Sequence, residues 1–150
     1  MDKLPEIIIG ERNIPLHYST YETIAIQSEI GCTAFQLKDE VFGVKKIDED
    51  EDETLGNIEL DVVKDPVKMM KMGKLIRILG NAGLEESGQE PDLTDKWILR
   101  HMKPSMIIMY ALAMIAVITA GNTMEARRES NGEPVDEIKE ANDAKKSRRS

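Results

Sequence analysis

The longest uncharged stretch of this 150-residue chain covers residues 104–124, PSMIIMYALAMIAVITAGNTM. Large apolar residues cover most sides of the helix that it predicts, but Met109 shares one side with small residues, namely Ala113, Ala116 and Ala120. A helix that is apolar all round is either a core helix of a soluble protein or a membrane span. Pro104 and Asn122 oppose insertion, and Tyr110 lies at mid-run instead of at an interface. We therefore expect a buried helix whose alanine side lets a neighbouring helix approach closely, with a single transmembrane helix over 104–124 as the alternative.

The first third of the chain predicts a hairpin and two helices. Runs of β-branched and apolar residues over 6–18, interrupted by turn residues at 10–13, predict a β-hairpin whose return strand covers 14–18. Ser19 and Glu22 have the spacing of a capping box, which predicts that a helix begins there. Gly31 is placed to end that helix. A second short helix is predicted over 33–42.

The next segment predicts a short strand over 58–63 and then a long helix. Asp65 and Pro66 have the residue types that cap and begin a helix, which should extend to about Asn81. We expect Gly83 to form its C-terminal stop. A shorter helix, over 94–102, then precedes the apolar run.

These elements predict a mostly helical α+β fold, in which a small N-terminal β-hairpin packs on a bundle of about four to five helices. Residues 1–130 should form a single compact helical domain with an acidic loop at 45–57, and residues 131–150 a flexible charged tail.

Composition narrows the function classes. A net charge of −8 and a pI near 4.9 argue against nucleic acid, whose phosphates would repel such a surface. The single cysteine, Cys32, cannot form an internal disulfide and fits a reducing compartment. Neither a nucleophile elbow nor a phosphate loop occurs in the sequence, so we expect no enzyme activity and no cofactor.

The acidic loop contains one candidate metal site. A weak calcium candidate is formed by four acids at positions 1, 3, 5 and 12 of an EF-hand-like spacing, namely Asp48, Asp50, Asp52 and Glu59. Glu53 stands where the EF-hand turn needs glycine, and six consecutive acids match many carboxylate patterns. We therefore predict a solvated acidic loop and no metal site.

The methionines allow two interpretations. Flexible thioether side chains fill irregular cores, but they also form adaptable surfaces that receive a helix from another protein. The candidate partner-binding residues on this second interpretation are Met69, Met70, Met72, Met106, Met109 and Met114. Ordinary core packing is the alternative for the same residues.

The order of these elements resembles the tail assembly chaperones of long-tailed bacteriophages. The likeness covers about residues 6–125 and is carried by three features. The first is a hairpin around Gly10 with a helix that ends at Glu29-Ile30-Gly31. The second is a helix that closes on LIRILGNAGLEE, residues 75–86. The third is an acidic loop with further helices and a charged tail.

This resemblance implies a non-enzymatic chaperone in the cytoplasm of the bacterial host. Its expected partners are the tape-measure protein, which it would bind and keep soluble, and the tail-tube protein, whose subunits it would help to recruit. Coating of one long client by several copies also implies self-association. The alternative from the apolar run is a membrane-anchored small protein.

Overall fold

A computed structural model describes residues 4–131 and shows a mostly helical α+β fold with an N-terminal hairpin, which confirms the predicted fold class. The elements are β1 (Glu6–Ile9), β2 (Arg12–Pro15), α1 (Thr20–Ile30), β3 (Val44–Lys46), β4 (Ile58–Leu60), α2 (Pro66–Glu86), α3 (Asp95–His101) and α4 (Ile107–Asn131). Two antiparallel hairpins, β1–β2 and β3–β4, form separate two-stranded sheets.

The chain divides into two compact units, Met1–Val117 and Ile118–Ser150. The first contains both hairpins, α1 to α3 and the beginning of α4. In the second, the structure describes residues 118–131, which belong to α4. The predicted boundary between a domain at 1–130 and a tail at 131–150 stays a prediction, because residues 132–150 lie outside the described part of the chain.

The first hairpin is shorter than the sequence predicts. Gly10 and Glu11 both have a positive φ, at 55° and 67°, so they form a two-residue turn of the kind that matches strand twist. Arg12 therefore already belongs to β2, which ends at Pro15 and not at residue 18. The N–H of Leu16 still donates a 2.7 Å hydrogen bond to the carbonyl of Pro5, and at His17 the backbone turns towards α2.

The hairpin turn rests on α3. A methyl group on Gly10 would lie 3.1 Å from Cβ of His101, so the turn passes directly over that side chain. The Arg12 guanidinium lies 5.8 Å from the ring centroid of Trp97, and it donates a 2.7 Å hydrogen bond to Asp92. These contacts fix the hairpin against the segment that leads into α3.

The helix at the centre of the fold is α2. Its buried residues occupy most of its second half, and they are Met72, Gly73, Leu75, Ile76, Ile78, Leu79, Gly80, Ala82, Gly83 and Leu84. Its start is as predicted, since Asp65 accepts hydrogen bonds from the backbone N–H groups of Val67 and Lys68, and Pro66 opens the first turn.

Gly83 does not end α2, and the predicted stop there is wrong. The helix continues to Glu86, because Gly83 serves as a point of close approach within it. A Cβ at this position would collide with the backbone carbonyl of Pro15, where the end of β2 crosses the helix. Beside this crossing, the N–H of His17 donates a 3.1 Å hydrogen bond to the carbonyl of Leu79. The backbone of residues 15–17, at the end of β2 and just beyond it, thus lies directly on the helix backbone.

Two elements of the middle segment differ from the prediction. The predicted helix over 33–42 consists of a 3-10 turn, Ala34–Gln36, which begins with a capping box between Thr33 and Gln36, and a π turn, Lys38–Phe42, which ends at Gly43 in the left-handed region. The predicted strand over 58–63 ends at Leu60, and a 3-10 turn follows it. Its pairing with β3 is a feature that the sequence patterns do not indicate.

The start of α1 also differs in detail from the capping-box prediction. Ser19 is the N-cap residue, but its hydroxyl donates to the Glu22 carboxylate and makes no cap hydrogen bond to the backbone. The helix ends as predicted, since Gly31 adopts a left-handed φ of 90° and its N–H returns to the carbonyls of Ile26 and Gln27.

An ion-pair network joins three helices. Asp95, in the first turn of α3, accepts hydrogen bonds from Arg77 at 2.5 Å and Lys74 at 3.0 Å, and Arg77 also pairs with Glu29 of α1. Burial opposes the charge on Asp95, but the hydrogen bonds from the two cations outweigh that effect and lower its pKa.

We predict that Gly83→Ala destabilises the protein by about 3 kcal/mol or more, because the new methyl group collides with backbone that cannot rotate away. Helix propensity alone predicts the opposite, a gain of about 1 kcal/mol. Urea unfolding measures the difference. Gly56→Ala is the matched control, since a methyl group there meets nothing within 4 Å and should change stability by under about 0.5 kcal/mol. Equal urea midpoints for Gly83→Ala and Gly56→Ala would contradict the close contact between Pro15 and Gly83.

We predict that Asp95→Asn costs about 1 kcal/mol at pH 7, a modest value because the network is partly exposed. Since the pKa of Asp95 is lowered in the folded state, its contribution is present above the unfolded pKa of about 3.9 and disappears as pH falls through the lower folded value. Unfolding measured from pH 7 to pH 2 should show the two proteins converge at the acid end. A constant difference across that range would exclude an electrostatic origin.

Candidate partner-binding surface

The segment before α4 turns the chain sharply after α3. Lys103 is extended, with φ −90° and ψ 132°, as a residue before proline usually is. Pro104 then begins a 3-10 turn, Pro104–Met106, which leads directly into α4. The short connection means that α4 starts beside α3 and beneath the hairpin.

One face of α4, the inner face, is buried within the first unit. Its residues there are Ile107, Tyr110, Ala111, Met114 and Val117. The Tyr110 hydroxyl donates a 3.1 Å hydrogen bond to the carbonyl of Ile8, on the side of β1 that does not pair with β2. Burial raises the pKa of Tyr110, so the phenol stays protonated as the donor. The inner face therefore holds α4 on the hairpin.

The opposite side, here called the outer face, consists of Met106, at the end of the 3-10 turn, and of Met109, Leu112, Ala113 and Ala116 in α4. The side chain of Met109 is 57% exposed, and Met106 and Leu112 are 38% and 37% exposed. Ala116 is exposed and Ala113 is half-buried. All five residues are apolar, and each of them except Ala113 is exposed. This is a continuous apolar strip on a charged protein, a feature that usually marks an interaction site.

The expectation of a buried central helix over the apolar run is therefore wrong. Only the inner face of α4 is buried in the first unit, and the central position belongs to α2. The segment Pro104–Asn122 has a mean hydropathy of 1.9 with a third of its residues buried, and by length and composition it is sufficient to cross a membrane. A soluble core helix can meet the same criterion.

The structure separates the six candidate methionines. Met72 and Met114 are fully buried, whereas Met106 and Met109 lie on the outer face. On α2, Met69 is half-buried and Met70 is 57% exposed, next to the exposed Val67. The exposed methionines thus occur on two different helices, and the buried ones fill the core in the ordinary way.

The acidic loop is organised by a residue that the sequence analysis did not identify. Asn57 is buried at the base of the β3–β4 hairpin, where its amide nitrogen donates to the carbonyls of Asp48, Glu51 and Asp52. Its amide oxygen accepts the N–H of Asp48 at 2.8 Å. One side chain thereby satisfies four backbone groups of the loop. Asparagine directly before a strand and after an acidic run is the only signal that the sequence offers for this role.

The EF-hand-like spacing does not produce a ligand set. Asp48, Asp50, Asp52 and Glu59 are all exposed, and Asp48 accepts the N–H of Asp50. Within residues 4–131, no group of three or more histidine, cysteine or acidic side chains is close enough to hold a metal ion. The carbonyl oxygens of the loop point instead to Asn57.

A cavity of about 380 Å³ lies between the start of α1 and the end of α2. It is lined by His17, Ser19, Tyr21, Glu22, Ala82, Glu85 and Glu86. Glu22, the buried acid of this set, is hydrogen-bonded to Ser19 and helps to position the first turn of α1. Cys32 is buried elsewhere, and burial raises the pKa of its thiol, so that it stays protonated and unreactive near pH 7.

The chain matches no protein-family model, no curated protein and no solved structure.

We predict that Asn57→Asp destabilises the protein by about 2 kcal/mol, because a carboxylate of the same shape cannot donate to three carbonyls. Cleavage by a glutamate-specific protease within residues 48–54 should become at least fivefold faster. Asp50→Asn is the control, since it also changes one charge in this region but leaves the amide of Asn57 in place. Equal cleavage rates for the two variants would show that Asn57 does not organise the loop.

Proposed function

We propose that this protein is a non-enzymatic tail assembly chaperone, which binds the tape-measure protein of a long-tailed phage, keeps it soluble in the host cytoplasm and helps to recruit tail-tube subunits. The observation that supports this proposal is the apolar outer face of α4. The resemblance in element order provides the identity of the client.

The outer face has the properties that binding of a helix requires. Met109, Leu112 and Ala116 follow one another at helical spacing, so they form one strip along α4. Small residues at 113 and 116 allow the backbone of a second helix to come close, and the flexible methionines adapt to different side chains. A tape-measure protein is a long helix with repeated apolar stripes, which would aggregate if they were left bare.

The charge of the chain suits a carrier. A net charge of −8 keeps complexes apart once their apolar faces are covered. The exposed acids are concentrated in the loop of the β3–β4 hairpin, which is remote in sequence from α4. Apolar contact with the client and charge repulsion between carriers therefore use different parts of the chain.

A membrane-anchored protein is the second candidate, and the hydropathy of Pro104–Asn122 favours it. Insertion would require α4 to leave the fold, because its inner face is packed and Tyr110 is hydrogen-bonded to the hairpin. In flotation with phosphatidylcholine vesicles, the chaperone proposal requires the chain to remain in the dense, vesicle-free fraction.

The direct test is co-expression with the tape-measure protein of the phage that encodes this chain. We expect wild-type chain to keep that client in the soluble fraction and Met109→Asp to reduce its soluble yield at least fivefold, because a carboxylate disrupts the apolar strip. Met109 is already more than half exposed, so the variant itself should fold.

Ile24→Asp is the matched control, since Ile24 is an exposed apolar residue of α1 and lies outside the outer face. It should leave the soluble yield of the client unchanged. If wild type and Met109→Asp give the same yield, or if the chain floats with vesicles, the proposal is wrong.

A further inference from the structure

The cavity between the start of α1 and the end of α2 is lined by a buried acid that has no cationic partner. Glu22 is 6% exposed, and its carboxylate oxygen Oε1 accepts a hydrogen bond from the neutral hydroxyl of Ser19. Within residues 4–131, this carboxylate makes no other hydrogen bond and no ion pair. Glutamate is rarely buried unless it is paired. Its second oxygen, Oε2, therefore still lacks a donor.

Two further acids add to the negative charge of this cavity. Glu85 and Glu86 line it and are exposed, and neither lysine nor arginine is among the lining residues. Both acids lie in the last turn of α2, which contains no basic residue. The carboxyl end of a helix carries a partial negative charge, which disfavours acids and favours a cation. The site therefore attracts a positively charged group.

The arrangement of the acids favours an organic cation over a metal ion. Within the described residues, no three acidic, histidine or cysteine side chains are close enough together to hold one metal ion. A guanidinium group is planar, and its five N–H donors reach acceptors that lie several ångströms apart. It is also less strongly hydrated than an ammonium group, so it enters a partly enclosed site more readily.

The rest of the lining suits the aliphatic stem of an arginine side chain. Ala82 contributes a small apolar surface, and Tyr21, which is 76% exposed, lies at the edge of the cavity. Guanidinium groups stack on aromatic rings, and the methylene groups of arginine cover apolar surface. The volume of about 380 Å³ falls within the range of ligand sites in proteins.

We propose that this cavity binds an arginine side chain of a partner protein. The guanidinium group donates to Oε2 of Glu22 and to the acids at the end of α2, and the ring of Tyr21 covers its stem. Because Tyr21, Glu85 and Glu86 are exposed, an arginine that remains part of a protein can reach the site from the surface. The net charge of −8 attracts a basic partner segment.

Nuclear magnetic resonance titration of the full-length, ¹⁵N-labelled chain with N-acetyl-arginine amide tests this site. We expect a dissociation constant of about 1 mM at low salt, with the largest shift changes at residues 17–22 and 82–86. N-acetyl-citrulline amide has the same shape without the charge and should bind about tenfold more weakly. N-acetyl-lysine amide has the charge without the planar fork and should bind about threefold more weakly.

Three variants test the assigned acids. Glu22→Gln retains an acceptor for Ser19 but removes the buried charge, so it should weaken binding of the arginine derivative about tenfold. The double variant Glu85→Gln/Glu86→Gln changes only exposed side chains, so it should fold and weaken binding about threefold. Glu40→Gln is the matched control, because it removes an exposed acid outside the cavity and should leave the affinity unchanged. Thermal unfolding confirms that each variant folds.

Equal affinities for the arginine and citrulline derivatives, or for the arginine and lysine derivatives, would overturn the guanidinium site. Shift changes that are largest at the acidic residues 48–53 would overturn it as well, and so would wild-type affinity in the double variant. Binding of agmatine, a free alkylguanidinium, without binding of the arginine derivative would overturn the protein partner. None of these results bears on the outer face of α4, so they are distinguishable from failure of the chaperone proposal.

Discussion

The contact on which the rest of the structure depends is the crossing of β2 over α2. The carbonyl of Pro15 lies against Gly83, which has no side chain, and the N–H of His17 donates a hydrogen bond to the carbonyl of Leu79. This contact fixes the distance between the hairpin and α2. The hairpin in turn positions its turn on α3 and presents the Ile8 carbonyl to Tyr110 of α4. A side chain at residue 83 would therefore disturb elements that are far apart in sequence.

Local signals predict the elements whose ends depend on neighbouring residues. The αL conformation of Gly31 and the Asp65–Pro66 start of α2 are such cases, because each involves only the backbone beside it. Gly83 carries the same signal as Gly31 and yet lies inside a helix. Its role depends on β2, which is about seventy residues away, so no local pattern reveals it. The β3–β4 pairing is likewise non-local, and its three-residue strands are too short to show a period.

The surface on α4 was predictable only in part. The sequence groups Met109 with the alanines on one side of the helix, and the structure leaves that side exposed. The sequence does not indicate which side is buried, because both sides are apolar and periodicity therefore provides no contrast. The decisive residue is Tyr110, whose hydroxyl needs a partner and finds it on the edge of β1. Once that bond is formed, the opposite side of α4 must face outward.

Helix α4 is packed through its inner face, while its outer face is open to water or to another protein. Oxidation of the methionines by hydrogen peroxide, followed by mass spectrometry on dilute full-length chain, tests it directly. We expect Met109 to be oxidised at least tenfold faster than Met114, which is five residues further along the same helix and fully buried. Equal rates at the two positions would mean that α4 is not docked as described, and the surface would then have no structural basis.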